Sequence, residues 1–354
     1  MRPIYDLSRS EFTALLQEWT EPPYRADQIW QGLYRCFYNS PGQFTALPLP
    51  FRSRLSEYFD FNPLNPLASL SSKDHQTIKT LFSLPDGLVI EAVLMKYGSA
   101  RPTSATRHTL CISSQVGCAM GCSFCATGQM GFKRHLSSGE LVAQVLYYTR
   151  ILAAENQAVT NVVVMGMGEP FHNYENTLAA INRLNDPNGF NFGARRFTIS
   201  TVGLVPVIQR FTSEKCQVNL AISLHAANDE LRSKLLPINN KYPIDELLAA
   251  GRDYVAVTGR RLSFEWALIR EVNDTPEQAR LLARRLHGLL CHVNLILLNP
   301  TQGYAGMAST PQRAKVFMDH MKRAGIPCTI RLRRGVEIQA GCGQLSGNYI
   351  KKQQ

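Results

Sequence analysis

From about residue 108 to residue 332 the chain repeats one pattern, and that pattern limits the folds open to it. Short apolar runs alternate with longer amphipathic ones. The strand-like runs are "TLCISS" (109–114), "NVVVMG" (161–166), "RFTIST" (196–201), "VNLAISL" (218–224), "LSFEWALI" (262–269), "HVNLILLN" (292–299) and "CTIRL" (328–332). Between them lie helical patterns such as "SSGELVAQVLYYTRILAAE", "PIDELLAAGRDYVAV" and "TPEQARLLARRLHGLL". Such alternation implies right-handed crossovers and a parallel sheet. Six or seven units predict an α/β fold with a barrel-like, incompletely closed sheet. No G-x-G-x-x-G follows the first strand, so a dinucleotide-binding start is not indicated.

In parallel barrels the chemistry gathers at the carboxyl ends of the strands. Here a cysteine-rich loop follows "TLCISS", and Met167-Gly168-Glu169-Pro170 follows "NVVVMG". Ser200 closes "RFTIS", Ser223-Leu224-His225 closes "VNLAI", and Asn299-Pro300 closes "HVNLILL". Strand ends are commonly polar, so each is weak alone. Five together point at one mouth.

The first 60 residues read as helical. Ser8 and Glu11 stand at capping-box spacing. Ile29, Trp30, Leu33, Tyr34 and Phe37 fall on one helical face, which reads as core packing rather than a base-stacking surface. "TIKTLFSL" and "LVIEAVLMKY" follow as a hairpin turning at Pro85–Gly87. The looser "GSARPTSATRH" (98–108) marks the expected boundary between an accessory unit, 1–97, and a core, 98–354.

The net charge of +11 suits a polyanionic partner. "MRPIYDLSRSEF" has no apolar run after its arginine, and nothing approaches bilayer-spanning length, so a cytoplasmic protein is expected. Nine cysteines make an odd number without a disulfide framework. In a reducing compartment they stay thiols unless metal or redox chemistry recruits them.

Three of them, Cys118, Cys122 and Cys125, lie within "SSQVGCAMGCSFCATGQMGFKRHL" (113–136). Zinc prefers four ligands in paired knuckles; His135, ten residues on, could be a fourth, but it lies in a basic run more suited to a surface. A [4Fe–4S] cluster is the other consumer of grouped thiolates, and three cysteines leave one iron open. Gly117, Gly121 and Gly128 let the backbone wrap closely round a bulky core. The remaining cysteines divide. Cys216, Cys291 and Cys328 border apolar runs and read as inert. Cys342, between Gly341 and Gly343 and downstream of "RLRR", reads as an exposed thiol with a lowered pKa.

C-x3-C-x2-C with Phe124 before the last cysteine resembles the radical S-adenosylmethionine (SAM) signature. That resemblance implies that the open iron chelates SAM and that one electron cleaves it to a 5′-deoxyadenosyl radical. The ordered set "CISSQVGC", "GCSFCATG", "MGMGEP", "ISTVG", "ISLHAAND", "LPIN" and "AGCGQL" resembles, more narrowly, the RlmN/Cfr family of RNA adenosine methyltransferases. The likeness covers nearly the whole chain. It implies a partial (β/α)6 TIM-like radical SAM barrel with a small helical N-terminal domain and a β-hairpin extension.

The resemblance also implies roles. A first SAM methylates Cys342, and the radical from a second takes a hydrogen from that methyl group. The carbon radical adds to an electron-poor adenine carbon, and a base removes the ring proton. Cys111 then attacks the Cys342 sulfur, releasing the methylated base and leaving a transient disulfide. Glu91, in an otherwise apolar strand, matches a proton-acceptor position. Gly168, Glu169, Ser200, Ser223, Leu224, His225 and Asn299 match SAM contacts, with Glu169 placed to accept from the SAM ammonium.

The implied partners are 23S rRNA near the peptidyl-transferase centre, tRNA beside the anticodon, and an electron donor such as flavodoxin or ferredoxin. A monomer is expected. Within the family one branch methylates C2 and the other C8. Pro170 resembles the C2 branch and the tail "GNYIKKQQ" the C8 branch, while "IQAGCGQL" departs from the usual Asp-Ala-Ala before the cysteine. C2 is the favoured product, C8 the alternative. Two readings from other classes compete: a non-catalytic RNA-binding protein with structural zinc, and an iron–sulfur redox protein, which would need a fourth protein ligand.

Overall fold

A computed structural model describes residues 1–98, 106–331 and 333–347. Most of the expected boundary segment, Leu332 at the end of "CTIRL" and residues 348–354 of the tail lie outside the described residues.

Among the described residues ten strands form one sheet, and their order in the sheet is their order in the chain. They are β1 (Asn65–Ser71), β2 (Thr77–Ser83), β3 (Val89–Tyr97), β4 (Arg107–Ile112), β5 (Asn161–Val164), β6 (Phe197–Thr201), β7 (Asn219–Ser223), β8 (Leu262–Leu268), β9 (Cys291–Leu297) and β10 (Cys328–Ile330). From β4 to β10 every pairing is parallel. From β1 to β4 every pairing is antiparallel. Each parallel pair is joined through helix, from Ser138–Ala154 after β4 to Pro311–Arg323 after β9. The expected partial (β/α)6 barrel is therefore present, with β10 as a seventh parallel strand. The sheet is open, with β1 and β10 at its edges.

The expected hairpin is β2–β3, and it joins the main sheet through β3 beside β4. Sequence reasoning missed β1. Its side chains are exposed or half-buried, so the apolar alternation that marks a strand is missing. Pro66 sits at the register shift, a position an edge strand tolerates.

The N-terminal helices are Arg9–Glu18, Tyr24–Tyr34 and Leu49–Tyr58. The first carries the expected capping box, Ser8 N donating to Glu11 Oε2 at 2.7 Å and Glu11 N to Ser8 Oγ at 3.2 Å. Ile29, Trp30, Leu33 and Tyr34 are buried, as core packing requires. Phe37 lies beyond that helix at φ 59° and packs on Phe190 instead. Asp6 accepts from Gly139 N at 2.6 Å, so the N-terminal segment caps the helix after β4. Buried apolar residues from Ile4 to Leu345 form one continuous cluster. Among the described residues no helix is long and apolar enough to cross a membrane.

Candidate active site

The cysteine loop leaves β4 through a small antiparallel pair, Gln115–Gly117 against Phe132–His135. Gly117 is required there. Its φ is +71°, and a Cβ would lie 1.8 Å from the Gly131 carbonyl oxygen. That oxygen accepts from Cys118 N at 3.1 Å. Cys118 and Cys122 are buried and Cys125 is half-buried. Burial pushes the Cys118 thiol up to about 12. Cys122 is pushed well above the ordinary thiol value by burial, then by the neighbouring Cys125 and Cys118. Such thiols ionise only when a cation offsets the clustered charge, and a bound metal core does this.

His135 is engaged elsewhere. Its Nδ1 meets Gln115 Nε2 at 3.0 Å, within an aromatic group with Phe132 and His172. Among the described residues no three His, Cys, Asp or Glu side chains converge as ligands of one ion. A four-iron core holds its three thiolates further apart. Three thiols from one loop are the donor set such a core takes, and among the described residues no fourth ligand joins them to make a zinc site.

Gly168 and Glu169 follow β5. Gly168 has φ +100° because its backbone lies against Gln115, where a Cβ would be 2.5 Å from the Gln115 Cβ. Gln115 is fully buried; its Oε1 accepts from Glu169 N at 2.8 Å, and its amide nitrogen meets His135 and His172. Sequence reasoning passed over this glutamine, although it stands three residues before Cys118. The Glu169 carboxylate accepts from Phe171 N at 3.0 Å and Val202 N at 2.9 Å. Burial pushes it up to about 7 despite those bonds.

One cavity of about 150 Å³ gathers most of the expected residues. Its wall includes Cys122, Cys125, Gly168, Glu169, Ser200, Ser223, His225, Asn299 and Cys342. It does not include Cys118, Leu224 or Glu91. Leu224 belongs to the core, and its backbone carbonyl accepts from Arg232 Nε at 3.1 Å. Ser200 and Ser223 hydroxyls meet at 3.4 Å. His225, at φ 59°, accepts at Nδ1 from Ala267 N at 2.9 Å and faces Phe124 edge-on at 5.1 Å. Burial pulls its pKa to about 3, so it is neutral with its proton on Nε2.

Arg232, also missed, has no exposed surface. It donates to the carbonyls of Val202, Ser223 and Leu224 and to Asn239, tying together the turns after β6 and β7. Its sequence setting, "DELRSKLL", reads as an ordinary solvated helix. Asn273, equally buried, ties Ala267 and His225 carbonyls.

Cys342 and Cys111 line a second cavity that shares Asn299 and Arg331 with the first. The Cys342 residue is exposed, as expected. The expected lowering of its pKa is not what the structure gives: desolvation of the thiol raises it, and Arg331 only partly offsets that. Cys111 is pushed up to about 12, by burial first and then by Cys342.

The Cys342 loop is fastened on every side. Asn299 Nδ2 donates to the Cys342 carbonyl at 3.1 Å. Ala126 N, one residue past Cys125, donates to Gly343 O at 2.8 Å. Glu91 Oε2 accepts from Ser346 N at 2.9 Å, while Glu91 Oε1 pairs with Lys79 Nζ at 2.9 Å. Lys79 reaches the Gln339 carbonyl at 3.3 Å. The Lys79–Glu91 pair thus clasps the loop on both sides of Cys342.

The Radical SAM superfamily description matches residues 112–283. The chain is 49% identical to a probable dual-specificity RNA methyltransferase RlmN of Chloroflexus aurantiacus, covering 98% of this chain and 93% of the relative. It is 44% identical to dual-specificity RNA methyltransferase RlmN 1 of Myxococcus xanthus, over 99% of this chain and 95% of that one. The crystal structure of a radical SAM methyltransferase from Sphaerobacter thermophilus matches with a TM-score of 0.94 at 48% identity, covering 98% of this chain and all of the other.

Proposed function

The chain belongs to the RlmN family of radical SAM RNA methyltransferases, and from that premise we propose that it methylates C2 of an adenosine in 23S rRNA and of the adenosine beside the anticodon in tRNA. One observation carries the reading. Two of the three signature cysteines, Glu169, the four strand-end residues Ser200, Ser223, His225 and Asn299, and Cys342 all face one cavity.

In this reading Cys118, Cys122 and Cys125 hold a [4Fe–4S] cluster and leave one iron for SAM. When bound, the cluster and SAM supply one-electron cleavage of a sulfonium bond. Glu169 receives the SAM ammonium, and the neutral His225 with Ser200, Ser223 and Asn299 orients the rest. Cys342 carries the methyl carbon to the base as S-methylcysteine. Its position at the meeting of the two cavities supports that role. Cys111 takes the ring proton. Burial keeps Cys111 a neutral thiol at rest, and Arg331 is the cation beside it that favours the thiolate this step needs.

Cys111 sulfur then attacks Cys342 sulfur. The S–S bond forms as the carbon–sulfur bond to the base breaks, and the released carbon keeps that electron pair and takes up a proton to become the methyl group. Two electrons from a donor such as flavodoxin or ferredoxin, with two protons, return both thiols. Glu91 shares a sheet face with Cys111, two residues from its cross-strand partner Val93, which supports its role as proton acceptor beyond the thiol. Residues 1–97 form the accessory unit that holds RNA by its backbone, and 98–354 the methyltransferase core. The test is anaerobic turnover with reductant, SAM and a 23S rRNA fragment. Mass spectrometry of the digested RNA should give 2-methyladenosine. 8-Methyladenosine or unmodified RNA contradicts the reading.

A further inference from the structure

The barrel has a second opening. A cavity of about 950 Å³ lies at the opposite end of the sheet from the cysteines, among the first residues of the parallel strands. Arg107 begins β4, Asn161 begins β5 and Asn219 begins β7, and all three line it. Met165 and Arg331 line this cavity and both upper ones, so they form the floor between the foot of the barrel and its mouth.

The foot is strongly cationic. Its wall includes Arg107, Arg195, Arg260, Arg261 and Arg331 against one acidic residue, Glu265. Glu265 is already spent: it pairs with Arg331 at 3.3 Å and accepts from Asn294 Nδ2 at 2.9 Å. Among the described residues none of Arg107, Arg195, Arg260 and Arg261 is within ion-pair distance of a carboxylate. Two of them are drawn together. Arg195 Nε and Nη2 donate to Gln217 Oε1 at 3.3 and 3.2 Å, and Arg260 Nη1 donates to the same oxygen at 3.1 Å. Arg260 Nη2 also donates to Asn219 Oδ1 at 2.6 Å. Two guanidiniums on one neutral acceptor repel each other, and no carboxylate offsets that repulsion among the described residues. Among the described residues the buried Nε of Arg260 has no partner. An unpaired buried donor beside like charges is the arrangement that an incoming anion satisfies.

We propose that the foot of the barrel is a phosphate-binding site, distinct from the SAM cavity, whose guanidiniums take a phosphate ester. Their planar forks match phosphate oxygens two at a time. The ester can come from the RNA backbone or from a free phosphorylated metabolite. This goes beyond the proposed methylation and does not depend on it.

The experiment is calorimetric titration of inorganic pyrophosphate into the cluster-reconstituted protein saturated with SAM. One site is expected. Arg195→Ala with Arg260→Ala should weaken it roughly tenfold or more, since each guanidinium supplies charge-assisted bonds, while SAM affinity stays as in wild type. If that double variant does not fold, Arg261→Ala alone should weaken pyrophosphate severalfold. Displacement of pyrophosphate by a short ribo-oligonucleotide identifies RNA as the source, and failure of displacement identifies a free phosphate ester. Wild-type protein that takes up no pyrophosphate, or a SAM-competent variant that binds it as tightly as wild type, overturns the proposal.

Discussion

Replacing Glu91 by Gln should cost far more stability than the loss of one surface charge. The Lys79 and Glu91 side chains are 6% and 2% exposed, and their charged atoms are 2.9 Å apart. At an effective dielectric constant of about 20, that separation is worth roughly 6 kcal/mol of attraction before desolvation is subtracted. Glu91→Gln keeps an oxygen for Ser346 N but leaves the Lys79 ammonium with only the Gln339 carbonyl at 3.3 Å. Breaking a buried pair from one side costs about 3–5 kcal/mol. Adding Lys79→Met removes the stranded charge and should restore most of that loss. Urea unfolding followed by circular dichroism measures both variants. A Glu91→Gln protein within about 0.5 kcal/mol of wild type, or a double variant no more stable than the single one, would refute the clasp.

Other perturbations reach the site directly. Cys118→Ala should remove the cluster's brown absorbance together with RNA methylation, and retained activity would exclude cluster chemistry. Cys111→Ala should leave RNA tethered to Cys342, seen as a shifted band on a denaturing gel; no band under turnover would remove Cys111 from the resolving role. Glu169 is raised from an ordinary 4.5 to about 7 by burial, so in protein without cluster or SAM its contribution to stability is fully present below pH 4.5. It fades as pH rises through about 7. Relative to Glu169→Gln, wild type should lose about 3 kcal/mol over that window in urea unfolding measured at several pH values. A parallel pH dependence in the two proteins would contradict the burial argument.

The barrel was legible because its strands are continuous apolar runs, and all seven parallel strands fall where those runs do. The cysteine loop was legible because its spacing is local. What escaped the sequence are bonds between distant residues. Gln115 meets Glu169 across 54 positions and Lys79 meets Gln339 across 260, and no local pattern records either. Arg232 looks solvated in a helix whose inner face the sequence does not reveal. The Cys342 thiol was misjudged for a related reason. "RLRR" displays the nearby charge, but only the folded loop displays the desolvation that outweighs it. Phe37 failed at a helix end, where the chain enters the left-handed region and the side chain leaves the stripe.

The iron not held by Cys118, Cys122 or Cys125 is the centre of the account. Electron paramagnetic resonance of the reduced, reconstituted protein tests it, using SAM labelled with ¹⁵N at the amino group and ¹⁷O at the carboxylate. Hyperfine coupling from both labels to the cluster is the expected result. A four-iron signal that ignores the labels, or reconstituted protein with no four-iron signal, contradicts it.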